Sequence, residues 1–218
     1  LVEIPYAGEV IKIEIPDERL AGVFQPNDVS LPAPSTAIAA ALTTPIGARD
    51  LSQFLAGASR LVIIVNDRTR TTPTAAILRE IEPMLAGLDI TIIVATGTHR
   101  VPTDEEKLEI LGGLAGKFGP RLVVHDCRDE SGLTYVGTTP RGTPVRVSRL
   151  VREAERVLII GSVEPHFFAG WTGGRKSILP GVCAYDTVVA NHSHSMSPAS
   201  LPTALEGNPV HDDMMDAA

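Results

Sequence analysis

Three near-continuous apolar runs frame this 218-residue chain: Arg60–Asn66, Ile90–Ala95 and Arg156–Gly161. A strand wetted on one face alternates apolar and polar residues, whereas a strand covered on both faces does not, so these runs predict buried strands. Leu122–His125 predicts a third strand in chain order and Pro144–Val147 a short one. Between the runs the period lengthens towards 3.6. Thr72-Pro73 opens a helix with proline in its first turn and Ile77, Ile81 and Leu85 on one stripe. Thr103-Asp104-Glu105-Glu106 is a capping box, and Gly112-Gly113 ends the helix it starts. Further helices are expected near Ser148–Glu155, Val182–Asn191 and Pro209–Ala217. Ahead of the first run, Val10–Ile15 reads as an edge strand, residues 24–35 as loop, and Ser35 and Asp50 as caps of helices running to Leu42 and Ala56. Buried strands alternating with helices imply an α/β fold: a mostly parallel sheet flanked by helices, Rossmann-like, in three layers.

Charge and composition narrow the class. A net charge of −7 argues against nucleic acid, whose phosphates need a basic face. No window approaches the roughly 20 apolar residues of a membrane span, and no charged-then-apolar leader opens the chain, so a cytoplasmic protein is expected. The two cysteines, Cys127 and Cys183, suit a reducing compartment and read as small buried hydrophobes. The chain starts at Leu1 and stops inside an apparent helix, so residues 1–218 are expected to be the N-terminal domain of a longer two-domain protein.

Ligands of open α/β sheets sit beyond the carboxyl ends of the strands, which directs attention to the residues after each apolar run. Asp67-Arg68-Thr69-Arg70-Thr71-Thr72-Pro73 places two arginines and several hydroxyls at a helix N-terminus, a ready anion site. Thr96-Gly97-Thr98-His99-Arg100 supplies a histidine able to act as a base near neutral pH. The last run leads into Glu164-Pro165-His166-Phe167-Phe168-Ala169-Gly170-Trp171-Thr172-Gly173-Gly174-Arg175-Lys176-Ser177, which is expected to open a helix. Its Gly173-Gly174 pair lets backbone approach a ligand, and Lys176 is either an electrostatic clamp or a nucleophile. Asn191-His192-Ser193-His194 adds two imidazoles at a helix end. His125 reads as strand packing, and His211 carries no assignment. Arg70, His99, His166, Lys176 and His192 should therefore gather on one rim.

Several chemistries compete for that rim. A nucleotide P-loop fails on spacing, because Arg175 separates Gly174 from Lys176, and no Gly-x-Gly-x-x-Gly follows a strand. A zinc hydrolase with His99, His166 and either His192 or His194 as ligands is the main rival, although no His-Glu-x-x-His is present. A non-catalytic binding module would need the anion site but not the imidazoles.

At these residues the chain resembles the N-terminal domain of the lactate racemase family, the nickel-pincer 2-hydroxyacid racemases and epimerases. The matching segments are Asp67–Pro73, Gly97–Arg100, Glu164–His166 through Lys176–Gly181, Asn191-His192 and Gly207–His211, in order over about three-quarters of the chain. The resemblance implies that Lys176 carries, as a thioamide, a pyridinium-3,5-bisthiocarboxylic acid mononucleotide holding nickel(II), with His192 as metal ligand. Asp67, Arg68, Thr69, Arg70, Gly173 and Gly174 would complete the cofactor-binding set, Arg70 holding cofactor or substrate carboxylate. His99 and His166 would be the two opposed catalytic bases of an isomerase acting on a small 2-hydroxy acid. It further implies maturation enzymes that build the cofactor and a C-terminal domain that completes the cleft, so the fragment alone is expected to be inactive. The segment departs from the family pattern at Arg175, where a small residue is usual, and at Trp171, where a smaller aromatic is common, which leaves the identity of the hydroxy acid open.

Overall fold

The computed structural model describes residues 1–25 and 27–218. The loop expected over residues 24–35 includes Pro26, which lies outside the described residues. Two compact units result, Leu1–Ala33 and Pro34–Ala218.

The first unit holds a hairpin of β1 (Val2–Tyr6) and β2 (Glu9–Ile13), paired antiparallel with Tyr6 opposite Glu9. Its two-residue turn sets both Ala7 (φ 49°) and Gly8 (φ 85°) in the left-handed region, the conformation that suits the twist of paired strands. The expected strand over Val10–Ile15 is thus β2, starting one residue earlier and ending two residues sooner.

The second unit is a sheet covered on both faces. In chain order it comprises α1 (Pro34–Thr43), α2 (Leu51–Leu55), β3 (Arg60–Asn66), α3 (Thr74–Ile81), β4 (Asp89–Ala95), α4 (Asp104–Leu111), α5 (Ala115–Phe118), β5 (Leu122–Val124), β6 (Leu133–Thr138), β7 (Pro144–Ser148), α6 (Arg149–Glu153), β8 (Arg156–Ile160), β9 (Pro165–His166), β10 (Gly170–Trp171), α7 (Tyr185–Ser193) and α8 (Pro209–Ala217). The four-stranded sheet runs β5-β4-β3-β8, all parallel. Successive side chains of a strand point to opposite faces. Leu61, Ile63 and Val65 of β3 accordingly join Leu55, Leu78, Ile81, Leu111 and Phe118 in one core, while Val62 and Ile64 join Val188, Val210 and Met214 in the other. Both cores are built of apolar side chains, which is why the runs could dispense with alternation.

Local signals place the helix ends. Asp50 caps α2 by accepting from the Gln53 amide, and Thr103 with Glu106 forms the reciprocal capping box of α4. Asn208 caps α8, accepting from the Val210 and His211 amides. Three expectations need correction: Ser35 lies inside α1, which starts at Pro34, and does not cap it. Pro144–Val147 is not part of the parallel sheet: β7 pairs antiparallel with β6, making a separate hairpin whose strands are not joined by a helical crossover. The glycine-rich segment does not open a helix either. Gly170 (φ 74°) and Gly173 (φ 84°) break it into the β9–β10 hairpin and a single 3-10 turn over Gly174–Ser177.

Candidate active site

The strand order locates the site. From β3 the chain moves outward through β4 to β5, then returns to place β8 on the other side of β3. Loops leaving β3 and β8 therefore diverge, and the crevice they leave beyond the strand ends is where open α/β sheets bind ligands. A polar pocket of about 140 Å³ lies there, walled by the three loops that the sequence singles out. Arg70, His99, His166, Lys176 and His192 all line it, with Asp67, Thr69 and Gly173.

On the β3 and β4 side, Asp67 is buried and its Oδ1 accepts from the Thr69 amide and hydroxyl. Its Oδ2 faces His99 Nδ1 at 2.7 Å, while the His99 side chain is 50% exposed. A carboxylate can only accept, so His99 Nδ1 carries a proton, and in the neutral ring the lone pair is on Nε2. This is the orientation a carboxylate imposes on a histidine base. Arg70 Nη1 stands 3.3 Å from Glu164 Oε2, tying the loop after β3 to the loop after β8.

On the β8 side, Thr172 Oγ1 donates to Ser162 O (2.9 Å) and accepts from the Glu164 amide (2.8 Å), closing the base of the β9–β10 hairpin. His166 Nδ1 accepts from the amides of Phe168 and Ala169 at 3.4 and 3.3 Å, which favours the tautomer with hydrogen on Nε2. Burial, with the charges of Lys176 and Arg70 adding to it, pushes its pKa down to about 4. Lys176 has no carboxylate partner among the described residues. Burial first, then the guanidinium groups of Arg70 and Arg175, push its amine down to about 7, so much of it is an uncharged nucleophile at neutral pH. Gly173 is required here: a Cβ would meet Val163 Cγ2 at 2.8 Å.

His192 comes off the last turn of α7, packs edge-on against Phe168 with ring centroids 5.1 Å apart, and is lowered to about 4 by burial and then by Lys176. Two neutral imidazoles, a lysine about half charged near neutral pH and an arginine thus converge beside His99. The arrangement can move protons, bind an anion, attack an electrophile and donate nitrogen to a metal.

Not every residue expected at the site is brought to it. Arg68 turns outward to pair with Glu109, and Gly174 and His194 are not on the pocket wall. Arg175 also stays out: its Nη2 donates to the carbonyls of Ala169 (2.8 Å) and Trp171 (3.1 Å), stapling the hairpin from behind. Trp171 Nε1 is committed to Thr203 O at 3.0 Å. Among the described residues no three His, Cys, Asp or Glu side chains cluster to hold an ion by themselves, which disfavours the three-histidine zinc site. The structure adds Asn66, Ser162, Ser177 and Pro180 to the wall. Ser162 Oγ is buried without a hydrogen-bond partner. Only its position after β8 could have marked it.

A parallel α/β domain with a polar pocket lined by imidazoles, an arginine and a lysine at its topological switch point is the class these features define. Residues 6–202 match the model of the lactate racemase N-terminal domain, and the chain belongs to that family. It is 35% identical to the lactate racemase of Thermoanaerobacterium thermosaccharolyticum and 33% identical to that of Lactiplantibacillus plantarum. All of this chain aligns in both cases, against 53% of each relative, so the chain spans about half the length of the curated relatives it matches. The lactate racemase apoprotein structure from the former organism superposes with a TM-score of 0.87 at 35% identity, covering 100% of this chain and 52% of that one. A Thermotoga maritima protein of known structure shares the fold, with a TM-score of 0.70 at 23% identity over 84% of this chain and 46% of that one.

Proposed function

We propose that this chain is the cofactor-bearing half of a racemase or epimerase of a small 2-hydroxy acid, with a nickel-pincer nucleotide linked to Lys176. The observation that carries the reading is Lys176 itself. It is a lysine lowered to about 7 with no carboxylate partner among the described residues, in one pocket with His99, His166 and His192. A lysine that only clamped a phosphate would keep its charge; a lysine meant to acylate must shed it.

The residues present fit the group. Lys176 would anchor it, His192 would ligate the nickel through nitrogen, and Gly173 with the Ser162 hydroxyl would accommodate its polar parts. When bound, the pincer supplies an electrophilic carbon that accepts and returns hydride. Arg70 holds the substrate carboxylate with its planar fork, at a distance set by Glu164. His99, oriented by Asp67, takes the proton of the substrate hydroxyl on Nε2. His166 faces the same pocket and would handle the hydroxyl proton of the opposite enantiomer, for which its own hydrogen must move from Nε2 to Nδ1, releasing the long contacts from the Phe168 and Ala169 amides. Two bases are needed because the two enantiomers present their hydroxyl groups differently. The reaction should run in the full-length, cofactor-loaded protein, where the remaining half of the chain completes the cleft.

Racemisation of lactate or another 2-hydroxy acid in D₂O tests the reaction class. Hydride transfer returns the original hydrogen, so product carrying no deuterium at the α-carbon is expected. Deuterium incorporated with every turnover would mean proton abstraction from carbon and would overturn the reading.

A further inference from the structure

Behind His192 lies a buried polar network that none of the chemistry above uses. Asn191, on α7, and Asp213, on α8, are both fully buried. Asn191 Nδ2 donates to Val210 O at 3.3 Å and to Asp213 Oδ2 at 2.8 Å. Both hydrogens of an amide nitrogen are then committed, so the group turned to His192 is Oδ1, 3.0 Å from His192 Nδ1. The reversed amide would set its oxygen against a carboxylate and a carbonyl with no proton between them. Asp213 is held in turn: the Thr139 hydroxyl donates to Oδ1, and the Thr143 hydroxyl donates to Oδ2 at 2.8 Å. Thr139 Oγ1 also accepts from the Thr143 amide at 3.1 Å, which fixes the turn between β6 and β7. A chain of hydrogen bonds thus runs from that turn, through α8, to the last turn of α7.

The acceptor at the end of this chain decides the state of the imidazole. Asn191 Oδ1 has no proton to give, so His192 Nδ1 must hold one, and the lone pair falls on Nε2. We infer that Asn191, clamped by Asp213, is a positioning residue that locks His192 as its Nδ1–H tautomer and turns the Nε2 lone pair to the pocket. Partners of this kind fix the tautomer and ring plane of metal-binding histidines. That Nε2 is used on nickel rests on the function proposed above, whereas the tautomer does not. The network also satisfies a buried carboxylate: Asp213 accepts from three neutral donors, and His194 Nε2 stands 3.8 Å from its Oδ2.

Long-range ¹H–¹⁵N correlation spectra of the histidine-labelled 218-residue chain at neutral pH test this, with the His192→Gln spectrum assigning the signal. The expected result is a protonated Nδ1 and an unprotonated Nε2 for His192. In Asn191→Leu the Nδ1–H signal should be lost to a mixture of tautomers. The paired exchange Asn191→Asp with Asp213→Asn should restore it, because an acceptor again faces Nδ1 and a donor again backs it. A wild-type His192 protonated at Nε2 overturns the inference, as does an unchanged Nδ1–H in folded Asn191→Leu. If Asn191→Leu does not fold, the wild-type spectrum and the paired exchange decide alone. Nickel retained by loaded His192→Gln would count against the metal reading and leave the tautomer assignment standing.

Discussion

Two concavities of the second unit could hardly differ more. One, of about 780 Å³, is an apolar groove along β8, lined by Leu42, Leu51, Phe54, Ile77, Ile81 and Leu158. The other, of about 140 Å³, is the polar pocket beyond β3, β4 and β8. The groove is the more capacious, yet among the described residues Arg49 and Arg156 are the only charged groups lining it, and its floor is an edge strand paired on one side among the described strands. The small pocket holds three imidazoles, one of them oriented by Asp67, with an arginine and a lysine whose pKa is lowered to about 7. Volume here reports how little of a sheet edge is covered. Chemistry is reported by titratable groups that converge on one space with their pKa values pushed away from the ordinary.

Substitutions in the two regions should therefore separate activity from stability. The largest effect is expected for His99→Gln or His166→Gln in the loaded, full-length protein: turnover should fall by about 10²–10⁴-fold while nickel stays bound. Comparable activity in either variant, or loss of metal from both, would break the assignment. Next comes the groove. Ile81, 1% exposed, supports the core from that side, and Ile81→Ala should cost about 2–5 kcal/mol in a denaturant titration. The reactivity of Lys176 towards an amine reagent should not change; if it did, the regions would be coupled.

A smaller effect of opposite sign is expected at Lys176. Its amine titrates at about 7 in the folded chain against 10.5 ordinarily, so burial penalises the protonated form. The penalty is full below pH 7, shrinks between 7 and 10.5, and vanishes above. Lys176→Met should thus raise stability at pH 7 by about 1–2 kcal/mol, discounted for partial exposure, with the gain gone near pH 10.5. The smallest effect is on acidification. His166 and His192 titrate at about 4 when folded and 6.5 ordinarily. The unfolded chain binds the extra protons, so stability should decline as pH falls from 6.5 to 4. That slope should weaken in His166→Gln, and an unchanged slope would show that the imidazole is not buried as described.

The pocket was more legible from sequence than the frame around it, for a physical reason. Strand ends are marked by where apolar runs stop, so Arg70, His99, His166 and Lys176 could be assigned to one rim without coordinates. The Thr103 and Asp50 caps are equally local and stand where the residues put them. What stayed hidden depends on distant partners. The turn of the first hairpin uses Ala7 at φ 49°, a residue that does not advertise that conformation. The segment from Glu164 is expected to open a helix, but Gly170 turns the chain back into a hairpin. Arg175, beside Lys176, looks like a determinant of substrate and proves to brace carbonyls behind it. The clamp on His192 joins residues 191 and 213 with 139 and 143, and no spacing rule connects them.

The central claim is that Lys176 is an attachment point and not a clamp. Peptide mass mapping of the chain, produced together with cofactor-building enzymes and analysed for nickel, tests it most directly. The account predicts a covalent nucleotide adduct on Lys176 with about one nickel per chain, and no adduct in Lys176→Ala. An unmodified Lys176 in protein that racemises a 2-hydroxy acid would contradict it.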